Sequence, residues 1–389
     1  MSDKDILPFA LPDIAEEEIQ EVIDTLKSGW ISSGPKAEIF EKDFKNYVDS
    51  KYAFAVTSAT AGMHLALEAV GIEYGDYVIT TSYTFTATAE VIRYFGAHPL
   101  FCDIDEKTLN IDPLKLDALI KNSTDKPIKA IMPVHFGGQA CDMKEIMKIA
   151  KKNNLPVIED AAHGLSAEYH GKKIGSIGDI TVFSFYATKP ITTGEGGMIT
   201  TNNDKYAKRI KTMRYHGLSK EAWDRKSIKN KFWYYEIIAP GYKYNLSDIL
   251  ASVGLQQLKK CEKFYEKRYS IANRYNKAFS EMNGIEIPYL SDERNRHGFH
   301  LYVIKVDETN RDQFIEKMYE KGIACSVHFI PLHIMPYWRD KYQFSENDFP
   351  VSFNAYKKVV SLPIYTKMTD ADVDRVIEAV KDTVKELSG

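Results

Sequence analysis

The sequence predicts an α/β protein: a mostly parallel sheet covered by helices on both faces, followed by a smaller α+β unit. Three observations predict it. Short apolar runs alternate with helical patterns between Tyr52 and Thr201. Those runs stay apolar along their length, as strands buried on both faces do. Near Leu246 the alternation gives way to a long, charge-rich helical stretch. The division is therefore placed between residues 1–245, an N-terminal helix and a large domain, and residues 246–389, a small C-terminal domain.

In chain order, Asp13 to Ser28 reads as an amphipathic helix. Asp13 is its N-cap, Ile19, Val22, Ile23 and Leu26 share a face, and Gly29 ends it. Tyr52–Val56 is expected as a strand, Ala61–Val70 as a helix, Tyr77–Thr81 as a strand and Thr86–Phe95 as a helix. Strands are expected at Leu100–Ile104, Ile128–Val134 and Val157–Glu159, with a helix at Met143–Lys152 before the last. Two more strands follow, Ile180–Phe185 and Gly197–Thr201. The second unit opens with a helical stretch from Leu246 to about Met282, on which Leu255, Leu258 and Phe264 recur. A strand at Leu301–Val306 and helices at Arg311–Lys321 and Asp370–Leu387 complete it.

Composition excludes several classes. The 389 residues are 44% hydrophobic, enough for a large core and for two domains rather than one. A net charge of −3 with interspersed signs offers no nucleic-acid footprint. No stretch reaches 18 apolar residues, and Met1 to Ala10 carries no apolar leader, so a cytoplasmic protein without a membrane partner is expected. Cys102, Cys141, Cys261 and Cys325 are scattered, which fits reduced thiols better than a disulfide framework or a zinc site. His328 and His333 sit in a proline-rich loop rather than on a metal-binding helix, and no metal is expected.

An aspartate and a lysine carry the chemistry. Asp160 ends the apolar run Val157-Ile158-Glu159, and Lys189 follows the run Phe183-Ser184-Phe185 before the flexible Gly194-Glu195-Gly196-Gly197. In a parallel sheet both fall outside the carboxyl ends of strands, where ligands bind. An amine able to form a Schiff base and a carboxylate able to hold a ring nitrogen protonated suit pyridoxal 5′-phosphate (PLP). Alone, Lys189 would read as a surface charge and Asp160 as a helix cap or turn. Thr57-Ser58-Ala59-Thr60-Ala61-Gly62, between a strand and a helix, can bind a phosphate through free N–H groups, or Ser58 and Thr60 can simply cap the helix. Ser184 is a second hydroxyl for that phosphate. Phe85 can stack on a pyridine face or serve as ordinary core. Asn245 and Ser247 can cap the helix that follows them.

With these motifs in order, the chain resembles the DegT/StrS-type nucleotide-sugar aminotransferases over nearly its full length. The likeness runs through Ser28-Gly29-Trp30-Ile31-Ser32-Ser33-Gly34-Pro35, Ser58-Ala59-Thr60-Ala61-Gly62-Met63-His64 and Glu159-Asp160-Ala161-Ala162-His163. It continues through Ser184-Phe185-Tyr186-Ala187-Thr188-Lys189, Arg214-Tyr215-His216-Gly217 and Pro240-Gly241-Tyr242-Lys243-Tyr244-Asn245. The resemblance implies fold type I, with a seven-stranded type of sheet in a large PLP-binding domain. It implies that Lys189 holds PLP and shuttles a proton, Asp160 pairs with the pyridine nitrogen, and His163 lies near the ring and its 3′-oxygen. Phe85 would stack on the ring. Ala59, Thr60 and Ser184 would bind the phosphate, and Asn245 would reach the cofactor phosphate of a neighbouring subunit, making a homodimer with shared sites. The implied reaction moves an amino group from an amino acid, L-glutamate, through the pyridoxamine 5′-phosphate (PMP) form to the C4 keto carbon of a UDP- or dTDP-linked ketosugar. Some motifs are similar to the branch forming 4-amino-4-deoxy-L-arabinose on UDP, whereas Lys189-Pro190 is similar to enzymes aminating UDP-linked 4-keto-6-deoxy amino sugars. Two alternatives stand beside this: a PLP-dependent sugar dehydratase, which would carry His in place of Lys189, and a non-catalytic PLP- or sugar-sensing regulator.

Overall fold

The structure, a computed structural model, describes residues 6–219 and 233–387. The first helix, α1, spans Glu16–Ser28 and closes on Gly29 in the left-handed region, φ 74°. It starts at Glu16 because the Ala15 N–H donates to Glu18 Oε2 at 2.9 Å. Asp13 is not the cap; its carbonyl accepts from Gln257 Nε2 at 2.8 Å. The expected apolar face is only partly covered: Ile19 and Leu26 are 47% and 51% exposed and Val22 and Ile23 half-buried, while Glu18 and Thr25 are buried. The inward contact is polar, with Gln257 Nε2 and Lys260 Nζ each 2.9 Å from Glu18.

Helix α2, Pro35–Val48, was not anticipated, although Pro opens it and Ala37, Phe40, Phe44 and Val48 recur at helical spacing and are buried. Its N-terminus is capped from far along the chain. Asp248 accepts from the N–H groups of Gly34 (2.7 Å), Lys36 (3.0 Å) and Ala37 (3.0 Å).

The large sheet contains β1 (Tyr52–Val56), β2 (Tyr77–Thr81), β3 (His98–Cys102), β4 (Ile128–Ile131), β5 (Ile158–Asp160), β8 (Ile180–Ser184) and β9 (Gly197–Thr201); β6 (Glu168–Tyr169) and β7 (Lys172–Lys173) form a separate hairpin. Order β3-β2-β4 is parallel, and parallel bridges Ile131–Val157 and Val134–Asp160 join β4 to β5. β5 and β8 are parallel, and β9 runs antiparallel to both β8 and β1. The result is a mixed, mostly parallel sheet in the order β3-β2-β4-β5-β8-β9-β1. β3 begins two residues before its expected start, and Ile104 instead bridges Ile111.

Helices α3 (Ala59–Val70), α4 (Ala87–Arg93), α5 (Pro113–Asn122), α6 (Met143–Asn153) and α7 (Asp204–Met213) connect the strands. The unanticipated α5 and α7 carry readable caps, Asp112 before Pro113 and Asn203 before Asp204. The expected long helix after Leu246 is two: α8 (Asp248–Lys259) and α9 (Cys261–Phe279), broken at Lys260. Their apolar sides serve two cores, and the change-over falls within α9, where Cys261 and Phe264 still pack with α8. Ala251 and Leu255 join Phe40 and Phe44, whereas Ile271, Tyr275 and Phe279 join Phe314 and Val376. That second core is covered by the antiparallel pair β10 (Tyr302–Lys305) and β11 (Val359–Leu362) with α10 (Arg311–Glu320) and α13 (Asp370–Leu387). Short helices α11 (Pro336–Tyr342) and α12 (Pro350–Lys358) precede β11.

Candidate active site

Four strand ends converge on one cavity of about 470 Å³. β1 leads into the first turn of α3, β2 into Thr84 and Phe85, β5 ends at Asp160, and β8 ends at Ser184, with Lys189 on the turn beyond. Ala59, Thr60, Phe85, Asp160, His163, Ser184 and Lys189 are thus brought together, and Asn245 is not.

Asp160 is 4% exposed. Thr88 Oγ1 donates to its Oδ2 at 2.7 Å and the Ala162 N–H to its Oδ1 at 3.0 Å, and Thr84 Oγ1 lies 2.9 Å from Thr88 Oγ1. Burial pushes its pKa above the ordinary carboxyl value, against the pull of those two bonds and of the Lys189 charge. Lys189 is depressed by burial to about 8, with Asp160 opposing. A buried lysine of lowered pKa is a nucleophile near neutral pH.

At the other end, the Ser58 hydroxyl accepts from the Ala61 N–H at 3.0 Å, so Ser58 is a helix cap. Gly197 lets this first turn sit directly on β9: a Cβ there would lie 2.8 Å from Ala59 N and 2.8 Å from Phe183 O. Ser184 Oγ accepts from the Tyr186 N–H at 3.3 Å and still has its own O–H to donate. Phe85 is no core residue; at 62% exposure it stands on the rim. His163 is buried, and its Nδ1 accepts from the Gly137 N–H at 3.2 Å. That bond places the ring proton on Nε2, and burial holds the imidazole neutral.

Asn245 lies in a separate cavity of about 160 Å³ with Ser33, Arg214 and Lys243. Its Nδ2 donates to Ser33 Oγ, and its Oδ1 accepts from Lys243 Nζ at 2.6 Å. Ser247, not Asn245, caps α8. Sequence reasoning missed Phe9, His300, His328 and Phe329, which line the main cavity. No spacing links Phe9 to the others, and His300 and His328 fit no ligand pattern.

PLP fits these groups. The cavity offers an amine of lowered pKa, a buried carboxylate, a helix N-terminus with a serine hydroxyl beside it, and a buried His300 Nδ1 with no hydrogen-bond partner among the described residues. No cluster of three or more His, Cys, Asp or Glu able to hold a metal ion occurs among the described residues. Sheet order and cavity together define a PLP-dependent transferase of fold type I. The chain belongs to the DegT/DnrJ/EryC1/StrS aminotransferase family, which it matches over residues 12–381. It is a PLP-dependent sugar aminotransferase. It is 50% identical over 384 residues to the spore coat polysaccharide biosynthesis protein SpsC of Bacillus subtilis (strain 168), covering 97% of each chain. Among solved structures it resembles Spr1654 from Streptococcus pneumoniae in its PMP form, with a TM-score of 0.91, 32% identity, and coverage of 98% and 100% of the two chains. It also resembles Helicobacter pylori PseC, an aminotransferase involved in the biosynthesis of pseudoaminic acid, with a TM-score of 0.89, 27% identity, and coverage of 98% and 100%.

Proposed function

We propose that this enzyme takes an amino group from L-glutamate and delivers it to the C4 keto carbon of a UDP- or dTDP-linked ketosugar, in the making of a surface polysaccharide or glycan. The observation that carries the reading is the Lys189 amine and the Asp160 carboxylate in one cavity beside the N-terminus of α3. SpsC, half identical to this chain, supports the polysaccharide setting.

PLP, when bound, supplies an electron sink for the substrate carbanion and a carrier for the amino group. Lys189 would hold the cofactor and then take and return the proton at the substrate Cα, acting as base and acid in turn. Asp160 keeps the ring nitrogen protonated, and Thr88 and Ala162 hold its carboxylate in place. His163, protonated on Nε2, would be the donor to the ring 3′-oxygen. Ala59 and Thr60 would bind the phosphate through backbone N–H groups and Ser184 through its hydroxyl, and Phe85, on the rim, would stack on the ring.

The working form in this proposal is a homodimer in which Asn245 serves the neighbouring subunit's phosphate. Two features support it: the separate cavity holding Asn245, and the exposed apolar Ile19, Leu26 and Ile31. The division into residues 1–245 and 246–389 belongs to the same proposal, supported by the separate core around Tyr275 and Phe314. A cytoplasmic location is also proposed. No described helix is long and apolar enough to cross a membrane.

The test is incubation of PLP-loaded protein with glutamate and a panel of UDP- and dTDP-4-ketosugars, read by mass spectrometry. A product carrying nitrogen in place of the keto oxygen is expected. Amination of none of the panel while glutamate is consumed would reject the acceptor class.

A further inference from the structure

Resting on that functional reading, we infer that His135 and Glu159 form a buried brace behind the cofactor site: together they hold the strand ends that present Asp160 and His163, and they thereby fix which ring nitrogen of His163 carries its proton.

The brace lies on the far side of the sheet from the cavity. Successive residues of a strand point to opposite faces, so Asp160 faces the cavity and Glu159 faces away from it. Glu159 and His135 are both 0% exposed. Two donors reach Glu159 Oε1 from the side of β8, the Thr181 hydroxyl at 2.6 Å and the Gly178 N–H at 2.8 Å. A Cβ on residue 178 would lie 2.7 Å from that same oxygen, so a side chain there would push the carboxylate away. From the side of β4, His135 Nε2 stands 2.9 Å from Oε2. The Glu159 side chain thus ties together the two segments that flank β5.

The hydrogen bonds settle where the protons are. The Cys141 N–H donates to His135 Nδ1 at 3.1 Å. Burial opposes a second proton on this ring, while the Cys141 and Glu159 side chains favour one. The Cys141 thiol, however, donates to the Val134 carbonyl at 3.1 Å and is no thiolate. A proton on Nδ1 would also face the Cys141 N–H. His135 is therefore neutral, protonated on Nε2, and donates to Glu159, which as the acceptor of three donors is a carboxylate. A buried charge of this kind is costly unless every donor stays in place.

The braced segments carry the groups that act on the cofactor ring. The His135 N–H donates to the Asp160 carbonyl at 3.1 Å, and the Asp160 N–H donates to the Pro133 carbonyl at 2.9 Å. Two residues past His135, Gly137 (φ 64°) turns its N–H to His163 Nδ1 at 3.2 Å. That bond leaves the His163 proton on Nε2, where it serves the 3′-oxygen. Without the bond from His135 to Glu159, the turn at Gly137 loses its anchor. His135 and Glu159 are positioning residues, acting through His163 and Asp160.

Two readouts test this. Nitrogen NMR of histidine-labelled protein, with and without PLP, reports the His163 tautomer. An absorbance titration of the holoenzyme reports the pH midpoint of Lys189-bound PLP. Asp160 and His163 both draw electron density toward the ring, so weakening either makes the nitrogen joined to Lys189 more basic and raises the midpoint. Glu159→Gln keeps the size of the side chain and turns an amide donor toward His135. His135→Asn keeps an acceptor at the Nδ1 position but cannot reach Glu159, whereas His135→Gln puts a donor at the Nε2 position and keeps that bond. In Glu159→Gln and His135→Asn, the His163 proton should no longer be fixed on Nε2, and the midpoint should rise by at least about half a pH unit, a fraction of one hydrogen bond to a charged group. His135→Gln should retain the wild-type tautomer and midpoint. Should Glu159→Gln fail to fold, the His135 variants decide, because both leave Glu159 its Thr181 and Gly178 donors. The proposal falls if His163 keeps its tautomer in His135→Asn, or if His135→Gln is disturbed as much as His135→Asn. If the wild-type protein takes up no PLP, or Asp160→Asn leaves the midpoint where it was, the functional reading fails separately. The His163 tautomer in the apoprotein variants then decides the brace by the same criterion.

Discussion

At the scale of single residues, the site depends on how burial changes two ionisable groups in opposite directions. Burial lowers Lys189 to about 8 from 10.5, while Asp160 pulls it back up. Only the neutral amine attacks the PLP aldehyde, so loading of apoprotein should speed up as pH rises through about 8 and level off above it. Asp160→Asn removes the charge that opposes the shift, and the midpoint should move lower still. Stopped-flow absorbance measures both, and a wild-type midpoint near 10.5 would contradict the buried setting. Borohydride reduction followed by peptide mapping should place the cofactor on Lys189; an adduct on another lysine rejects the assignment. In the assembled enzyme, Asp160→Asn keeps the size of the side chain and removes its charge, so kcat should drop at least about a hundredfold, roughly 3 kcal/mol of transition-state stabilisation. Near-native turnover would refute the pairing with the ring nitrogen. Lys189 and Asp160 were legible in the sequence because each follows a short apolar run that reads as a strand, and the two occur together in order with the other motifs. His300 and His328 were not, because folding alone brings them beside His163, and nothing in their spacing records it.

Among elements, the strands of the large sheet were legible from apolar runs, and β1, β2 and β9 lie where the runs predict. Helices were less so. The pattern puts Ile19, Val22, Ile23 and Leu26 on one face of α1, yet Glu18 reaches Gln257 on α8 and Lys260 just beyond it, and Ile19 and Leu26 are left exposed. A hydrophobic pattern marks a face that wants cover; it does not say which neighbour supplies it. The break at Lys260 was hidden because Cys261 and Phe264 beyond it join the same core as Leu255 and Leu258 before it. Two contacts between elements carry predictions. Asp248 holds three N–H groups of α2, so Asp248→Ala leaves them unsatisfied and should cost roughly 2 kcal/mol or more. Calorimetry would register this as a clear fall in Tm, and an unchanged Tm would show that the cap is dispensable. Gly197→Ala drives a methyl group against Ala59 N and Phe183 O. It should cost about 1–3 kcal/mol and weaken PLP binding, because the first turn of α3 is pushed off β9. Loss of stability with PLP affinity intact would mean that this turn does not hold the phosphate.

Across the whole molecule, the open question is why Asn245 lies outside the cavity that holds the other predicted residues. Its side chain is engaged with Ser33 and Lys243, and it does not cap α8. In the proposed homodimer, this second cavity faces the neighbouring subunit's cofactor phosphate, and a two-fold axis makes the arrangement reciprocal. Each active site then needs Lys189 from one subunit and Asn245 from the other. Lys189→Ala homodimers should be inactive, and Asn245→Ala homodimers should be impaired, mainly through weaker PLP binding. In a mixed dimer both defects fall on the same site, because the Lys189→Ala subunit's own site borrows its asparagine from the Asn245→Ala subunit. The other site carries neither defect. Subunit exchange should therefore restore activity, up to about half that of a native dimer for each heterodimer. Heterodimers separated by distinct affinity tags give the measurement directly. If they recover nothing beyond their parents, while both parents are folded dimers, the sites are not shared. Asn245 would then act only within its own chain, holding Ser33 and Lys243 together beside the N-terminus of α2.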